Sequence, residues 1–274
     1  MEKKEFFQYK NITVGSDPEF LIADKSGKLI SSIGIILGKK DAPQYLDHLG
    51  DGYAIQTDNV LGEFNIPCAR SAEEAASYMR VMKNYVEGFL EPLGLHPVYK
   101  ASGNYGYDQL TCEEAIIFGC CPDFNAWTRQ ENDKPDPEDF TLRSAGCHFH
   151  VGYDNFNDDA SLDLIKAMDL FLGVPSVIVD TDELRRNLYG KAGAFRKTGF
   201  GCEYRTISAF ALSDDKLTEW FFGQIYKAVD YLNNNGTEVL NANSERIQGI
   251  INSGDVEGAK SLLAEFGIEP FSAE

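Results

Sequence analysis

Gly146-Cys147-His148-Phe149-His150-Val151-Gly152 is the stretch on which the fold turns. In a strand, residues two apart share a face. The two histidines then point to one side, and Cys147, Phe149 and Val151 point to the other. An apolar face calls for a core, and a face carrying two histidines calls for a chemical reason. The same alternation recurs in three other segments. Gly15-Ser16-Asp17-Pro18-Glu19-Phe20 sets Asp17 and Glu19 together, subject to a kink at Pro18. In Leu61-Gly62-Glu63-Phe64-Asn65-Ile66, Glu63 and Asn65 lie opposite Phe64 and Ile66. In Cys202-Glu203-Tyr204-Arg205-Thr206, Glu203 and Arg205 lie opposite Tyr204 and Thr206. If these are strands of one sheet, their acids, a histidine and an arginine converge on one face.

Converging carboxylates repel and raise one another's pKa unless a cation offsets the charge. Magnesium takes oxygen ligands, often a few protein carboxylates together with substrate phosphates. An imidazole in the set suits manganese or magnesium alike. The plain alternative is a group of solvated strand faces with ordinary salt bridges. Arginines favour the first reading. The stretch from Arg185 to Lys197 is basic in an acidic chain, and its glycines let backbone approach a ligand. Arg196 and Arg205 are candidates for phosphate contacts, because a guanidinium forks onto phosphate oxygens. Lys191 is a further candidate. Asp58 either joins the acids or caps the turn at Asn59. The chain contains no G-x-x-x-x-G-K-[ST] loop and no G-x-G-x-x-G opening a helix. Ser16 and Ser208 lack a partner pattern for nucleophilic work. The pattern points to a metal-dependent enzyme acting on phosphorylated material.

Outward from the motifs, 14–23 and 28–36 read as a hairpin closed at Asp24-Lys25-Ser26-Gly27. A second strand pair covers 53–57 and 61–66. Ser71 and Glu74 form a capping box. Behind it Ala75, Tyr78, Met79, Met82, Val86 and Phe89 recur at helical spacing, predicting a helix over 72–91. A strand follows at 95–100. Residues 101–143 read as an irregular insertion, which borders the active site or an oligomer contact, or is a plain surface insertion. A strand at 145–152 precedes a helix over 162–173 capped by Ser161, with Leu162, Ile165, Met168 and Leu172 inward. Residues 184–200 read as loop, 201–210 as strand, and 214–233 and 255–266 as helices, the last ended by Gly267. This order lacks regular strand–helix alternation. It predicts an α+β fold, an antiparallel or mixed sheet with helices on one face, taken as a single catalytic domain over 1–274 whose part from 211 onward is helical.

Length and charge bound the rest. A chain of 274 residues, 43% of them hydrophobic, can bury a sizeable core. A net charge of −18 opposes contact with a nucleic-acid backbone. No run approaches a membrane span and the first residues are polar, so a cytoplasmic protein is expected. The six cysteines form no Cys-x-x-Cys pair and are expected to be reduced and mostly buried. A zinc site from Cys112, Cys120 and Cys121 is the minor alternative. Cys147 and Cys202 are expected to pack between sheet and helices.

Taken together and in order, GSDPEF, DNVLGEFNIP, AGCHFHVG and CEYRT resemble the motifs of carboxylate–amine ligases. These enzymes form the glutamine synthetase and glutamate–cysteine ligase superfamily, and the phage-type COOH·NH2 ligases (amidoligases) are the nearest group. The resemblance covers about residues 13–210. It implies a curved antiparallel sheet forming a funnel, ATP with Mg2+ or Mn2+, and amide formation through an acyl phosphate. It implies that Glu19 and Glu63 hold metal near the substrate carboxylate. Asp17, His148 and Glu203 would hold metal at the ATP phosphates. Arg205 and Arg196 would face the transferring phosphoryl group, and His150 the nucleotide. Asp58 is the guess for a base acting on the amine. Partners would be small-molecule or peptide carboxylates and amines, and relatives often form rings of identical subunits. The chain departs from the pattern at Asp17, where the family carries glutamate, and at Gly201, where arginine is common. Only Glu63 clearly matches the second acidic strand. Neither named activity transfers, so a phosphoryl transferase, a metal-dependent hydrolase and an inactive binding module remain open.

Overall fold

From the N-terminus the chain forms β1 (Thr13–Ser16), β2 (Glu19–Asp24), β3 (Leu29–Ile30), β4 (Gln44–Tyr45), β5 (Ala54–Asp58) and β6 (Leu61–Asn65). Helix α1 (Ala72–Leu90) leads to β7 (Leu95–Val98), β8 (Ser102–Asn104), α2 (Glu113–Ile116), β9 (Phe124–Asn125), β10 (Leu142–Ser144) and β11 (Phe149–Gly152). Helix α3 (Asp158–Met168) continues through a wide π-turn (Asp169–Gly173) into α4 (Val174–Val179). Then come α5 (Glu183–Leu188), β12 (Ala194–Lys197), β13 (Gly201–Tyr204), α6 (Asp215–Asn235), α7 (Glu238–Ala242), α8 (Ser244–Ser253) and α9 (Val256–Phe266). This computed structural model describes residues 6–117, 123–133 and 138–272. Cys120 and Cys121 of the weighed zinc triad lie outside the described residues.

One sheet runs β1-β11-β13-β12-β9 and another β3-β2-β6-β5-β4, with β7 also paired to β2. Every pairing between named strands is antiparallel. The expected single strand 14–23 is broken at Asp17-Pro18, and there the chain passes from one sheet to the other. Proline offers no N–H to a ladder, but its carbonyl accepts from Phe64 N at 3.2 Å. On either side, Asp17 N donates to His148 O (3.4 Å) and Glu19 N to Gly146 O (2.8 Å). The two ladders therefore join into a curved half-barrel, with helices packed on its outer face. No described helix is long and apolar enough to cross a membrane.

The alternation read from sequence decides what each face meets. Phe149 is fully buried and packs edge-on against Phe222 of α6, ring centroids 5.2 Å apart. Cys147, Val151, Cys202 and Tyr204 are buried on the same side. Each large apolar side chain so buried contributes about 1.5–3 kcal/mol. Helix α1 buries Ala75, Met79, Met82 and Val86 as its spacing predicts, and Ser71 caps it by accepting from Glu74 N. Phe89, expected inward, is exposed and stacks on Tyr85 instead.

Other boundaries differ. The strand expected at 28–36 pairs only over Leu29–Ile30. Helix α3 begins before Ser161, because Asn157 is its cap and accepts from Ala160 N. The expected loop 184–200 contains α5, capped by Asp182, and β12. The strand expected to reach 210 ends at Tyr204 and gives way to a 3-10 turn at Ala209–Leu212.

Candidate active site

Register builds the site. His150 lies opposite Glu203 on the neighbouring strand, and Arg196 lies opposite Glu203 from the other side. His148 stands just before β11 on the same face. Asp17 reaches this group from the seam between the sheets. One ligand atom each from Asp17, His148 and Glu203 lies within 4.8 Å of the other two. His148 Nδ1 is 3.4 Å from Asp17 Oδ1 and 3.6 Å from Glu203 Oε1. His150 Nε2 is 3.2 Å from Asp17 Oδ1, yet both atoms are buried without a well-formed hydrogen bond.

Charge is balanced unevenly. Burial opposes the Asp17 carboxylate, but His150 and His148 hold its pKa well below the usual range. Burial and Asp17 push Glu203 up, while His148, Arg205 and Arg196 more than compensate and bring it below its ordinary value. Both groups are therefore anions, as hard-cation ligands must be. The Arg205 guanidinium bonds Glu203 directly, and Arg196 Nη1 lies 3.4 Å from its other oxygen. Burial works against the His150 imidazolium, but Asp17 raises its pKa.

A second acidic group adjoins the first. Glu19 and Glu63 are directly opposed on β2 and β6. Burial raises both carboxyls, and Asp58 raises both further. Glu19 accepts from Gly146 N at 2.6 Å, and Glu63 accepts from Gln56 Nε2 at 2.9 Å. Asp58 meets Lys40 at 3.3 Å. Buried acids that oppose one another's ionisation, beside an anionic Asp–His–Glu trio with an orphaned oxygen, are the setting in which divalent cations lower the electrostatic cost. Two carboxylates and one imidazole make a donor set that fits a divalent cation.

In front of Glu19 opens a cavity of about 60 Å³ that is continuous with solvent. Asp58, His148 and Arg205 share its wall with Arg143, Arg185, Asp123 and Tyr189. The last four are residues that sequence reasoning did not single out. Arg185 is buried, and it donates to the carbonyls of Ala145 (3.1 Å), Ile207 (3.1 Å) and Arg205 (3.4 Å), tying the strand end before His148 to the segment after Glu203. Its Nη1 is buried without a hydrogen bond. Burial lowers the Arg185 pKa, and Glu19 and Asp180 oppose that effect.

The structure thus gathers Asp17, His148, His150, Glu203, Arg205 and Arg196 into one cluster. Glu19, Glu63 and Asp58 form its neighbour. Lys191 follows Gly190 at the cavity edge and is half-buried, which lowers its ammonium pKa. The Cys147 and Cys202 thiols face the helices, and burial pushes Cys147 up to about 12, so thiolate chemistry there is suppressed.

Residues 138–228, which hold His148, His150, Arg196, Glu203 and Arg205, match the family model described as phage phiEco32-like COOH.NH2 ligase-type 2. No curated protein matches the chain. Among solved structures, apo GmaS without ligand is similar at 14% identity and a TM-score of 0.47, over 94% of this chain and 69% of that one. A bifunctional glutathione synthetase from Pasteurella multocida is similar at 12% identity and 0.45, over 94% and 47%. A Plasmodium falciparum glutamine synthetase is similar at 9% and 0.42, over 81% and 52%. Through its histidine and Glu-x-Arg strands the chain resembles the phage-type COOH·NH2 ligases.

Proposed function

We propose that the protein is an ATP-dependent carboxylate–amine ligase that joins its substrates through an acyl phosphate. The observation carrying this reading is the Asp17–His148–Glu203 trio, with Arg205 against it, on strands within or beside the family match. Asp17, His148 and Glu203 would hold Mg2+ or Mn2+ at the triphosphate, and Glu19 with Glu63 would hold one near the substrate carboxylate. Bound there, a divalent ion neutralises phosphate charge and orients the γ-phosphoryl group.

The chain's own groups do the rest. Arg205 and Arg196 flank Glu203 and offer guanidinium donors to phosphoryl oxygens as the bond to the β-phosphate breaks and a carboxylate oxygen bonds phosphorus. ADP leaves. An amine nitrogen then attacks the acyl carbon, the C–O bond to phosphate breaks, and the amine proton passes to a base, for which Asp58 at the cavity wall is the candidate. His150 and Lys191 would face the nucleotide. Substrates are small-molecule or peptide carboxylates and amines that fit the cavity before Glu19.

Purified protein with Mg2+ and ATP, challenged with a panel of carboxylates and hydroxylamine, tests the reading. It predicts hydroxamate formed in step with ADP, abolished by Glu203→Ala. ADP release with no hydroxamate across the panel would favour simple phosphoryl transfer. Absence of nucleotide turnover and of Mn2+ uptake would end the ligase reading.

A further inference from the structure

We propose that Asp169 is a positioning residue of the candidate site: it clamps Trp127 and Tyr204 behind the sheet and so fixes the strand that presents Glu203 and Arg205. The inference deepens the function proposed above and rests on it. Asp169 opens the π-turn between α3 and α4 and is fully buried. Its Oδ2 accepts from Trp127 Nε1 at 2.6 Å and its Oδ1 from Tyr204 Oη at 2.8 Å. The Gly193 amide also favours the anion.

Trp127, Tyr204 and Gly193 come from three segments that shape the site. Tyr204 lies between Glu203 and Arg205 and points the opposite way. Gly193 leads into β12, whose Arg196 reaches Glu203. Trp127 sits on the loop that follows β9, and β9 itself follows the cavity residue Asp123. The loop and the approach to β12 are also knitted directly: Ala126 N donates to Gly193 O (2.9 Å) and Asn125 Nδ2 to Ala192 O (3.0 Å).

The fold leaves room for this clamp. A Cβ at Gly173 would stand 2.6 Å from Tyr204 Oη, and one at Gly193 would stand 2.6 Å from Trp127 Cδ1. Apolar side chains would fill the same space without the desolvation cost of an acid. Burial pushes the Asp169 carboxyl up to about 7 despite its donors. What the acid supplies is direction. Apolar packing is non-directional, whereas a carboxylate with fixed donors sets where each one lies.

Mn2+ affinity of the full-length protein, read by electron paramagnetic resonance, tests the clamp. Tyr204→Phe and Trp127→Phe each remove one donor. Ser161→Ala is the control: its hydroxyl pairs with Tyr153 at 2.7 Å and reaches Gly201 O at the start of β13 (3.3 Å), so it bonds the same strand without touching Asp169. Outer-shell partners of a metal site typically govern affinity by about 10–100-fold. For a clamp one residue further out, Tyr204→Phe is expected to weaken Mn2+ binding about threefold to tenfold, Trp127→Phe in the same direction, and Ser161→Ala not at all. If Tyr204→Phe loses its circular dichroism signal, Trp127→Phe decides alone. Wild-type affinity in a folded clamp variant overturns the inference, as does equal weakening in Ser161→Ala. No Mn2+ uptake by the wild type overturns the metal-site reading and the clamp together, whereas uptake that is insensitive to the clamp overturns the clamp alone.

Discussion

Gly62→Ala probes how tightly the acidic strands are set. Gly62 precedes Glu63 on β6 and lies directly opposite Phe20, the neighbour of Glu19 on β2. The Phe20 ring covers it: an added Cβ would lie 2.3 Å from Cζ and 2.7 Å from Cε1 and Cε2. The ring is fully buried, with Phe64 at 6.0 Å and Tyr99 at 6.4 Å between centroids, so its retreat is limited. Overpacking of this kind costs about 1–3 kcal/mol. The backbone gain of alanine over glycine in a strand, about 0.5–1 kcal/mol, offsets part of that. The expected net loss is about 1–2 kcal/mol, or roughly 2–8 °C in Tm for a chain of this size. Urea unfolding of Gly62→Ala, Phe20→Leu and the double variant measures it. Because Phe20→Leu relieves the clash, the two changes should couple by about 1 kcal/mol. A Gly62→Ala protein as stable as wild type, or strictly additive effects, would show that the ring does not press on this strand.

Glu19→Ala and Glu203→Ala should each abolish nucleotide turnover with the fold retained, read as ADP release beside circular dichroism; undiminished turnover at saturating Mg2+ would remove these residues from the metal assignment. Arg205→Lys should cut turnover at least tenfold, since a point charge does not reproduce a planar fork, and near-normal kinetics would make Arg205 structural. Asp169 should also imprint the pH dependence of stability. Its pKa is raised from 3.8 to about 7 in the fold, so between those values the folded state keeps a proton that the unfolded chain has lost. Raising pH through that window therefore weakens folding, by at most on the order of 4 kcal/mol. The stability of wild type relative to Asp169→Asn should fall between pH 4 and 7 in denaturant titrations, and a flat difference would refute the raised pKa.

The strands around the site were legible because period-two alternation is a local signal. Cys147, Phe149, Val151 and Tyr204 turned to the core, and the polar residues between them met across the ladder. Helix α1 was equally plain from Ser71 and its apolar spacing. Pro18 was flagged as a kink, but a change of sheet depends on distant partners such as Phe64 and Gly146. Residues 184–200 misled because Gly190 and Gly193 suggest loop, while the Asp182 cap and the pairing of β12 with β13 decide otherwise. At α3 the cap is Asn157 rather than the expected Ser161, and two acids follow it in the first turn. Arg143 and Arg185 could not be told from surface cations, since only tertiary packing buries them. Asp169 did carry a trace: a lone acid in the apolar run Ala167-Met168-Asp169-Leu170-Phe171 needs a partner, and sequence alone does not name Trp127 or Tyr204.

A straight strand through 16–20 would aim Asp17 and Glu19 along parallel lines about 7 Å apart, into one shared compartment. The corner at Pro18 sends them to different company. Asp17 turns to the histidines and Glu203, while Glu19 turns to Gly146 and the open cavity. Backbone, rather than rotamer choice, thereby sets the spacing between two charged stations. Replacing this one imino acid would remove neither carboxylate, yet it would alter the geometry of both.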